Sequence, residues 1–378
     1  MQNFIEKLTV IEELTDNRQQ WKVKHKLKDI VFIVLVATIA NADEWFEMEI
    51  FAKHNEQFFK QYIDLENGIP SHDTIRRVMA LINPAILQNL VNEWHELISQ
   101  DEKQTIQKLI HIDGKTVRGN NRKGNTPAHI VSAYCSDDGY TIGQTLTDEK
   151  SNEITAIPEL LKKINIKGNV VTIDAIGCQT EIAKIIKKDN KADYILAVKE
   201  NQKNLYEDIK DYFYLSEAKE QLKTSGCYLR TFEKAHGQLE TREYYQSSDI
   251  GWLYGKQNWH GLKTIGMVET TIVKNGKKSV EQRYFISSIA LNIELFSKAV
   301  RSYWSIEAMH WLLDVTFKED ANTIINKTAV MNQNIIRKWA LSILKHIDTI
   351  LGKKYSLKAK RYAMSLDPFG NLARALEI

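Results

Sequence analysis

Three acidic residues far apart in the chain occupy the same kind of position, the polar end of an apolar segment. Asp113 follows Leu109-Ile110-His111-Ile112, Asp174 follows Val170-Val171-Thr172-Ile173, and Glu307 follows Tyr303-Trp304-Ser305-Ile306. Two strand-end aspartates and a helical glutamate make an all-oxygen donor set suited to magnesium and phosphoryl transfer. In open α/β sheets ligands gather beyond the carboxyl ends of the strands, so Asp113 and Asp174 are placed to meet there. Each acid also has an ordinary reading. Asp113-Gly114 suits a turn, Asp174 suits the cap of a following helix, and Glu307 suits a charged rim beside tryptophans. On the glutamate segment Trp304, Trp311 and Leu312 read as the apolar face, and His310 and Asp314 share the side of Glu307.

Residues 1–105 read as mostly helical. The β-branched run from Ile30 fits strand or helix by periodicity alone, and its continuation through Ala37-Thr38-Ile39-Ala40 favours a helix. Ser71 or Asp73 suits an N-cap ahead of Arg76 and Arg77, and Asn83-Pro84 opens another helix running to Ser99. From 106 to 200 the pattern changes to short apolar runs at 109–112, 129–134, 141–146, 169–173 and 194–198, with helical spacing at 154–164 and 181–188. That alternation predicts a mixed α/β sheet. Residues 201–290 read as β-rich. One hairpin is expected around His236-Gly237, and another around Asn275-Gly276, a strong two-residue turn signal. Residues 291–378 return to helical patterns and carry Glu307.

The 378 residues, 43% of them hydrophobic, can bury a sizeable core, and a net charge of +3 permits a nucleic-acid partner without demanding one. Three cysteines without paired spacing argue against a disulfide framework or a thiolate zinc site and fit a reducing cytoplasm. The amino-terminal MQNFIEKLTVIEEL has no apolar signal core, and the stretch from Ile30 to Ala40 is too short to span a bilayer. No membrane association is expected.

Eight stretches, in order over nearly the whole chain, resemble the insertion-sequence transposases of the H-repeat-associated (ISAs-type) group. They are IPSHDTIRRV, HIDGKTVRG, KSNEITAIPELL, VTIDAIGCQ, YILAVKENQKNLYEDI, HGQLETREY, RYFISSI and WSIEAMHWLLDVTFKED. The resemblance implies an Asp-Asp-Glu triad on a ribonuclease H-like catalytic core. It also implies an N-terminal helical associated region (1–105) that could bind DNA ends. A β-rich insertion (201–290) would then stand before the catalytic glutamate, between the first part of the core (106–200) and its helical second part (291–378).

Carried over position by position, the resemblance makes Asp113, Asp174 and Glu307 the catalytic and metal-binding acids. Two Mg2+ ions would be held there, with Mn2+ able to substitute. Glu319, in the same matching stretch, is the alternative third acid; the Trp-x-Ile-Glu pattern favours Glu307. His310 and Asp314 are candidates to support the ligands. The implied partners are element terminal repeats and target DNA, with a homodimer at paired ends, in a bacterial cytoplasm and on the nucleoid when bound. Candidate DNA-binding groups are Lys115, Arg118, Arg122 and Lys123 after Asp113, then Lys199, Asn201 and Gln202 after the last core run, and Arg230 and Arg242 in the hairpin. Arg76 and Arg77 are candidates for reading the terminal repeats. The chain departs from the group's pattern at Tyr303 (usually His), Ala308 (usually Asn), and Thr323 and Ile325 (usually Arg). The expected activity is phosphodiester hydrolysis at element ends followed by strand transfer. The alternatives are a catalytically impaired, transposase-derived DNA-binding protein and a nuclease of similar fold without strand transfer.

Overall fold

The structure, a computed structural model, describes residues 16–376 apart from 17, 20, 22, 99–106, 121–125, 148–152, 236, 348 and 351. Arg122, Lys123, Ser99, His236 and the amino-terminal stretch read for a signal core lie outside the described residues. Helices α1 (Leu27–Ile39), α2 (Trp45–His54), α3 (His72–Met79) and α4 (Pro84–Ile98) precede the first strand, with a single helical turn at Glu56–Phe59 between α2 and α3. The strands are β1 (Leu109–Val117), β2 (Ala128–Cys135), β3 (Tyr140–Thr147), β4 (Val170–Ile173), β5 (Asp193–Val198), β6 (Tyr228–Ala235), β7 (Gln238–Ser247), β8 (Thr264–Lys274) and β9 (Lys277–Ser287). Among them run α5 (Glu153–Lys163), α6 (Thr180–Lys184), α7 (Lys203–Tyr214) and α8 (Ser216–Thr224). Helices α9 (Ile293–Ser302), α10 (Trp304–Phe317), α11 (Lys327–His346) and α12 (Leu357–Leu366) follow the strands. No described helix is long and apolar enough to cross a membrane.

The sheet order is β3-β2-β1-β4-β5-β9-β8-β7-β6. β1, β4 and β5 run parallel, β2 and β3 add antiparallel strands on one side, and β9 pairs antiparallel with β5. The mixed five-strand half, β3-β2-β1-β4-β5, has an α/β arrangement of the kind expected for a ribonuclease H-like core. The strands from the 201–290 region do not form a separate layer: they continue the core sheet through the register Val198↔Tyr284. That region is also less purely β than its composition suggests, since α7 and α8 open it. Leu205, Ile209 and Phe213 are buried at helical spacing along α7. At Asn275-Gly276 both residues have positive φ, 49° and 74°, as a two-residue hairpin turn requires.

The alternation along β1 sets the site. Ile110 and Ile112 join the core beneath α5 and α6, with Val171, Ile173 and Leu196. The opposite face carries Leu109, His111, Asp113, Lys115 and Val117; Val117 packs into the core shared with α1, α10 and α11. α1 is buried all round, which explains why a run so rich in β-branched residues is helical: tertiary cover outweighs local propensity. The Ser71 side chain caps α3, accepting from Thr74 N at 3.4 Å, and the Asn83 carboxamide oxygen accepts from Ala85 N at 3.0 Å at the start of α4.

Candidate active site

The parallel ladder between β1 and β4 ends at Ile112↔Ile173, so Asp113 and Asp174 are the next residues on adjacent strands. Asp113 is not itself a strand terminus. β1 continues to Val117 because β2 keeps pairing with it, up to Val117↔Ala128. Asp174 Oδ1 accepts from Ile176 N at 3.0 Å and Gly177 N at 3.3 Å, which fixes the carboxylate at the head of the loop toward α6. Asp174 does not cap α6, whose N-cap is Gln179; its carboxylate instead closes a local side-chain turn at the end of β4. Burial first, and then the charges of Glu153 and Asp113, hold the Asp174 carboxyl above its ordinary range.

Helix α10 lies over this pair. Glu307 is exposed, and its carboxyl is also pushed up, by partial burial first and then by Asp113 and Asp174, with Arg283 acting in the opposite direction. The charge of Asp113 thus bears on both Asp174 and Glu307. Two residues, Tyr303 at the N-cap of α10 and His310 within that helix, hold Asp113. His310 Nδ1 is 3.3 Å from its Oδ2, and the Tyr303 hydroxyl donates to its Oδ1 at 3.3 Å. Burial and the negative charges of Asp113, Asp174 and Glu307 raise the Tyr303 phenol, so it stays a donor. The buried face of α10 is Ile306, Met309, His310, Leu313, Thr316 and Phe317. Trp304 and Trp311, expected on the apolar face, are instead 49% and 60% exposed, one on either side of Glu307. The helix turns its smaller apolar residues to the core and leaves its tryptophans in solvent.

Two acids of this region are committed elsewhere. Glu319 is fully buried; its Oε2 accepts from Lys115 Nζ at 2.6 Å, and its Oε1 accepts from Asn334 Nδ2 at 2.7 Å. Burial opposes its charge, but Lys115 and Arg337 win and hold the carboxyl below its ordinary range. Asp314 accepts from the same Lys115 ammonium and touches none of the three acids by a hydrogen bond. Among the described residues Glu307, unlike Glu319, is neither hydrogen-bonded nor ion-paired, and its carboxyl feels the charges of Asp113 and Asp174.

Several candidate DNA contacts prove to be internal. Lys115 has only 12% of its side chain exposed and is enclosed by Asp314 and Glu319. Arg242 is buried between Glu233 at 2.9 Å and Glu240 at 2.5 Å. Asn201 Nδ2 donates to Ala175 O at 2.6 Å and Gln202 Nε2 to Cys178 O at 2.9 Å, so both brace the loop behind Asp174. Lys199 and Arg118 are exposed, and Arg118 N donates to Asp320 Oδ1 at 3.0 Å. Arg230 stacks on Phe232 at 4.6 Å, and Arg76 pairs with Asp73 at 2.9 Å.

Among the described residues no group of three or more His, Cys, Asp or Glu side chains stands close enough to form a ready metal cage. The donor set still fits a hard divalent cation. It is all oxygen, and Asp174 and Glu307 are both pushed up by burial and like charge, a strain that a cation would relieve. Asp113, Asp174 and Glu307 are the residues that would hold it.

Sequence comparison decides the family. Residues 8–95 match the DDE_Tnp_1-associated family, and residues 105–343 match the transposase DDE domain. The chain belongs to the DDE transposase family. Among its relatives, "Putative transposase YncI" of Escherichia coli O157:H7 is 40% identical over 95% of this chain and 92% of its own length. "H repeat-associated putative transposase YhhI" of Escherichia coli K12 is 38% identical over 94% of each. A piggyBac transposase synaptic complex with hairpin DNA aligns with 99% of this chain and 78% of its own at a TM-score of 0.35 and 12% identity.

In this transposase-family chain four residues near the acids were not among the sequence candidates for the site. Tyr303 stood out only as a departure from pattern. Glu153 and His129 pair at 2.9 Å on the far side of β1, with His129 Nδ1 2.8 Å from Thr116 Oγ1. They close over Gly114, where a Cβ would come within 2.3 Å of Glu153 Oε1, so the glycine after Asp113 is needed for that approach. Arg283 is the fourth. Glu153 and Arg283 lie inside stretches that carry the family resemblance, which was the one available signal for them.

Proposed function

We propose that this chain is a DNA transposase that hydrolyses phosphodiester bonds at the ends of its element and joins those ends to target DNA. The observation that supports the reading best is that Asp113 and Asp174 occupy adjacent strand positions and that the charges of both raise the Glu307 carboxyl. Bound there, divalent magnesium would supply Lewis acidity to the scissile phosphate and lower the pKa of an attacking water or 3′-hydroxyl. The chain's own part is positional. The Ile176 and Gly177 amides fix Asp174, while His310 and Tyr303 fix Asp113. Glu307, on the exposed face of α10, is the acid that incoming DNA can reach from solvent. The remaining exposed cations near the acids, Lys199 and Arg118, are the phosphate contacts we keep from the candidate set; Lys115 and Arg242 are assigned to internal ion pairs. Pairing of two DNA ends fits a homodimer at work, in the cytoplasm and on the nucleoid.

The test uses a duplex carrying the element's own terminal repeat, with magnesium or manganese. Asp174→Ala is expected to abolish nicking while leaving the affinity for the duplex within a few-fold of wild type. Undiminished nicking by that variant would falsify the catalytic assignment.

A further inference from the structure

Beside the acids, at the ends of β4 and β5, lies a cavity of about 510 Å³. Lys199, Arg283 and Tyr284 line it, together with Ala175, the residue after Asp174. The antiparallel register of β5 and β9 pairs Val198 with Tyr284, so one step outward sets Lys199 opposite Arg283. Two like charges facing each other on neighbouring strands repel unless an anion lies between them. Among the described residues neither cation is ion-paired, and Arg283 Nε is buried without a hydrogen-bond partner. Glu200 and Glu281 also line the cavity; both are exposed, and neither pairs with these cations. Tyr284 turns its hydroxyl away, donating to Gln282 Oε1 at 2.8 Å. Arg283 is two residues from Phe285, which packs with Leu109 on the face of β1 that carries Asp113, so strand alternation sets Arg283 on that side of the sheet, and its charge is felt by Glu307.

We propose that Lys199 and Arg283 form a phosphate subsite that holds the DNA backbone phosphate next to the scissile one. Arg283, the less exposed of the two, offers a planar fork of donors to the phosphate oxygens, and Lys199 adds a point charge at the rim. The pair positions the strand over Asp174 and Glu307 and takes no part in bond making. The subsite rests on the transposase reading for the identity of its ligand, a DNA phosphate.

The experiment measures the affinity of the full chain for the terminal-repeat duplex by fluorescence anisotropy, without divalent metal, across a salt series. Arg283→Gln and Lys199→Gln are each expected to weaken binding about three- to tenfold. Each should also lower the log–log salt slope by about 0.9, the value for one lost phosphate contact. Arg283→Lys should keep the slope, because the charge remains. Unchanged affinity and slope in both Gln variants would overturn the subsite, as would an Arg283→Lys variant that loses the slope, since that loss would be structural. Nicking by the wild-type chain is read separately with magnesium. A wild type that binds but never nicks overturns the catalytic reading and leaves the cation pair as a DNA contact. Normal nicking with an unmoved slope overturns the subsite alone.

Discussion

A lysine two residues after an aspartate proposed for catalysis invites a phosphate-binding role, and Lys115 shows why residue type alone misleads. Its ammonium is enclosed by Glu319 and Asp314, and burial, which would lower its pKa, is outweighed by those two charges, which raise it. Removing it would leave Glu319 charged and fully buried beside Arg337, whose nearest approach is 3.8 Å. Lys115→Met is therefore expected to cost about 3–5 kcal/mol of stability, as breakage of a buried ion pair does. Urea unfolding of the variant checks this; unaltered stability with a reduced salt dependence of DNA binding would return Lys115 to the phosphate contacts. Tyr303 is the opposite case. Its hydroxyl donates to Asp113, and a single such bond is worth about 1 kcal/mol. Tyr303→Phe should slow nicking about fivefold with DNA affinity unchanged, while a loss as deep as that of Asp174→Ala would show that the phenol touches the substrate. Asp113 and Asp174 were legible because each follows a run of apolar strand residues. Lys115 was not, because Asp314 and Glu319 lie on elements remote in the chain; the ion pairs of Arg242 with Glu233 and Glu240 depend on the side-chain packing of its own hairpin, and Arg283 meets Lys199 only through the register of β5 and β9.

Elements with strong local periodicity were readable, and pairings between distant elements were not. The five short apolar runs became β1 to β5, and Asn275-Gly276 became the turn between β8 and β9. Nothing local in β9 marks Val198 as the partner of Tyr284, so the continuation of the core sheet into the 201–290 region had no sequence signal. The tryptophans of α10 misled for another reason: hydrophobicity reports what can be buried, and the helix had smaller residues to bury. Packing between elements also sets the response to acid. His95 on α4 stacks on Tyr140 of β3 at 3.5 Å and meets Ser342 of α11 at 3.0 Å. Burial first, and then the charges of His346 and Lys108, press its pKa down to about 3. Below about 6.5 the unfolded chain takes up a proton that the folded chain refuses. Stability is thus fully present above that pH and falls toward the folded pKa, by up to roughly 1.4 kcal/mol per pH unit from this group. His95→Gln, which keeps a polar atom for Ser342, should flatten the decline between pH 6 and 4. An equally steep decline in the variant would assign acid sensitivity to other groups.

At the scale of the whole molecule, α12 meets the end of α1 behind α10, the helix that carries Glu307. Arg361 of α12 is fully buried. Its guanidinium pairs with Asp43 at 2.6 Å, donates to Thr38 O at 2.7 Å and to Thr316 O, and lies over the Phe317 ring at 4.2 Å. Asp43 and Thr38 flank the end of α1, and Thr316 and Phe317 form the last turn of α10. One side chain therefore ties the helical N-terminal part to the helix that carries Glu307. Thr38 O also accepts from Asn41 N at 3.4 Å, so loss of Arg361 bears hardest on Thr316 O and the Asp43 carboxylate. Arg361→Met retains much of the packing over Phe317 but leaves Asp43, 3% exposed, without its cation. The expected loss is about 3–5 kcal/mol, and Asp43→Asn in the same chain should recover part of it by removing the orphaned charge. If the tie also sets the angle of α10, Arg361→Met assayed well below its unfolding temperature should nick more slowly at unchanged DNA affinity, because Glu307 would be displaced while the Lys199–Arg283 edge of the sheet stays in place. Nicking that tracks only the folded fraction would confine Arg361 to stability and free the catalytic helix from control by the N-terminal region.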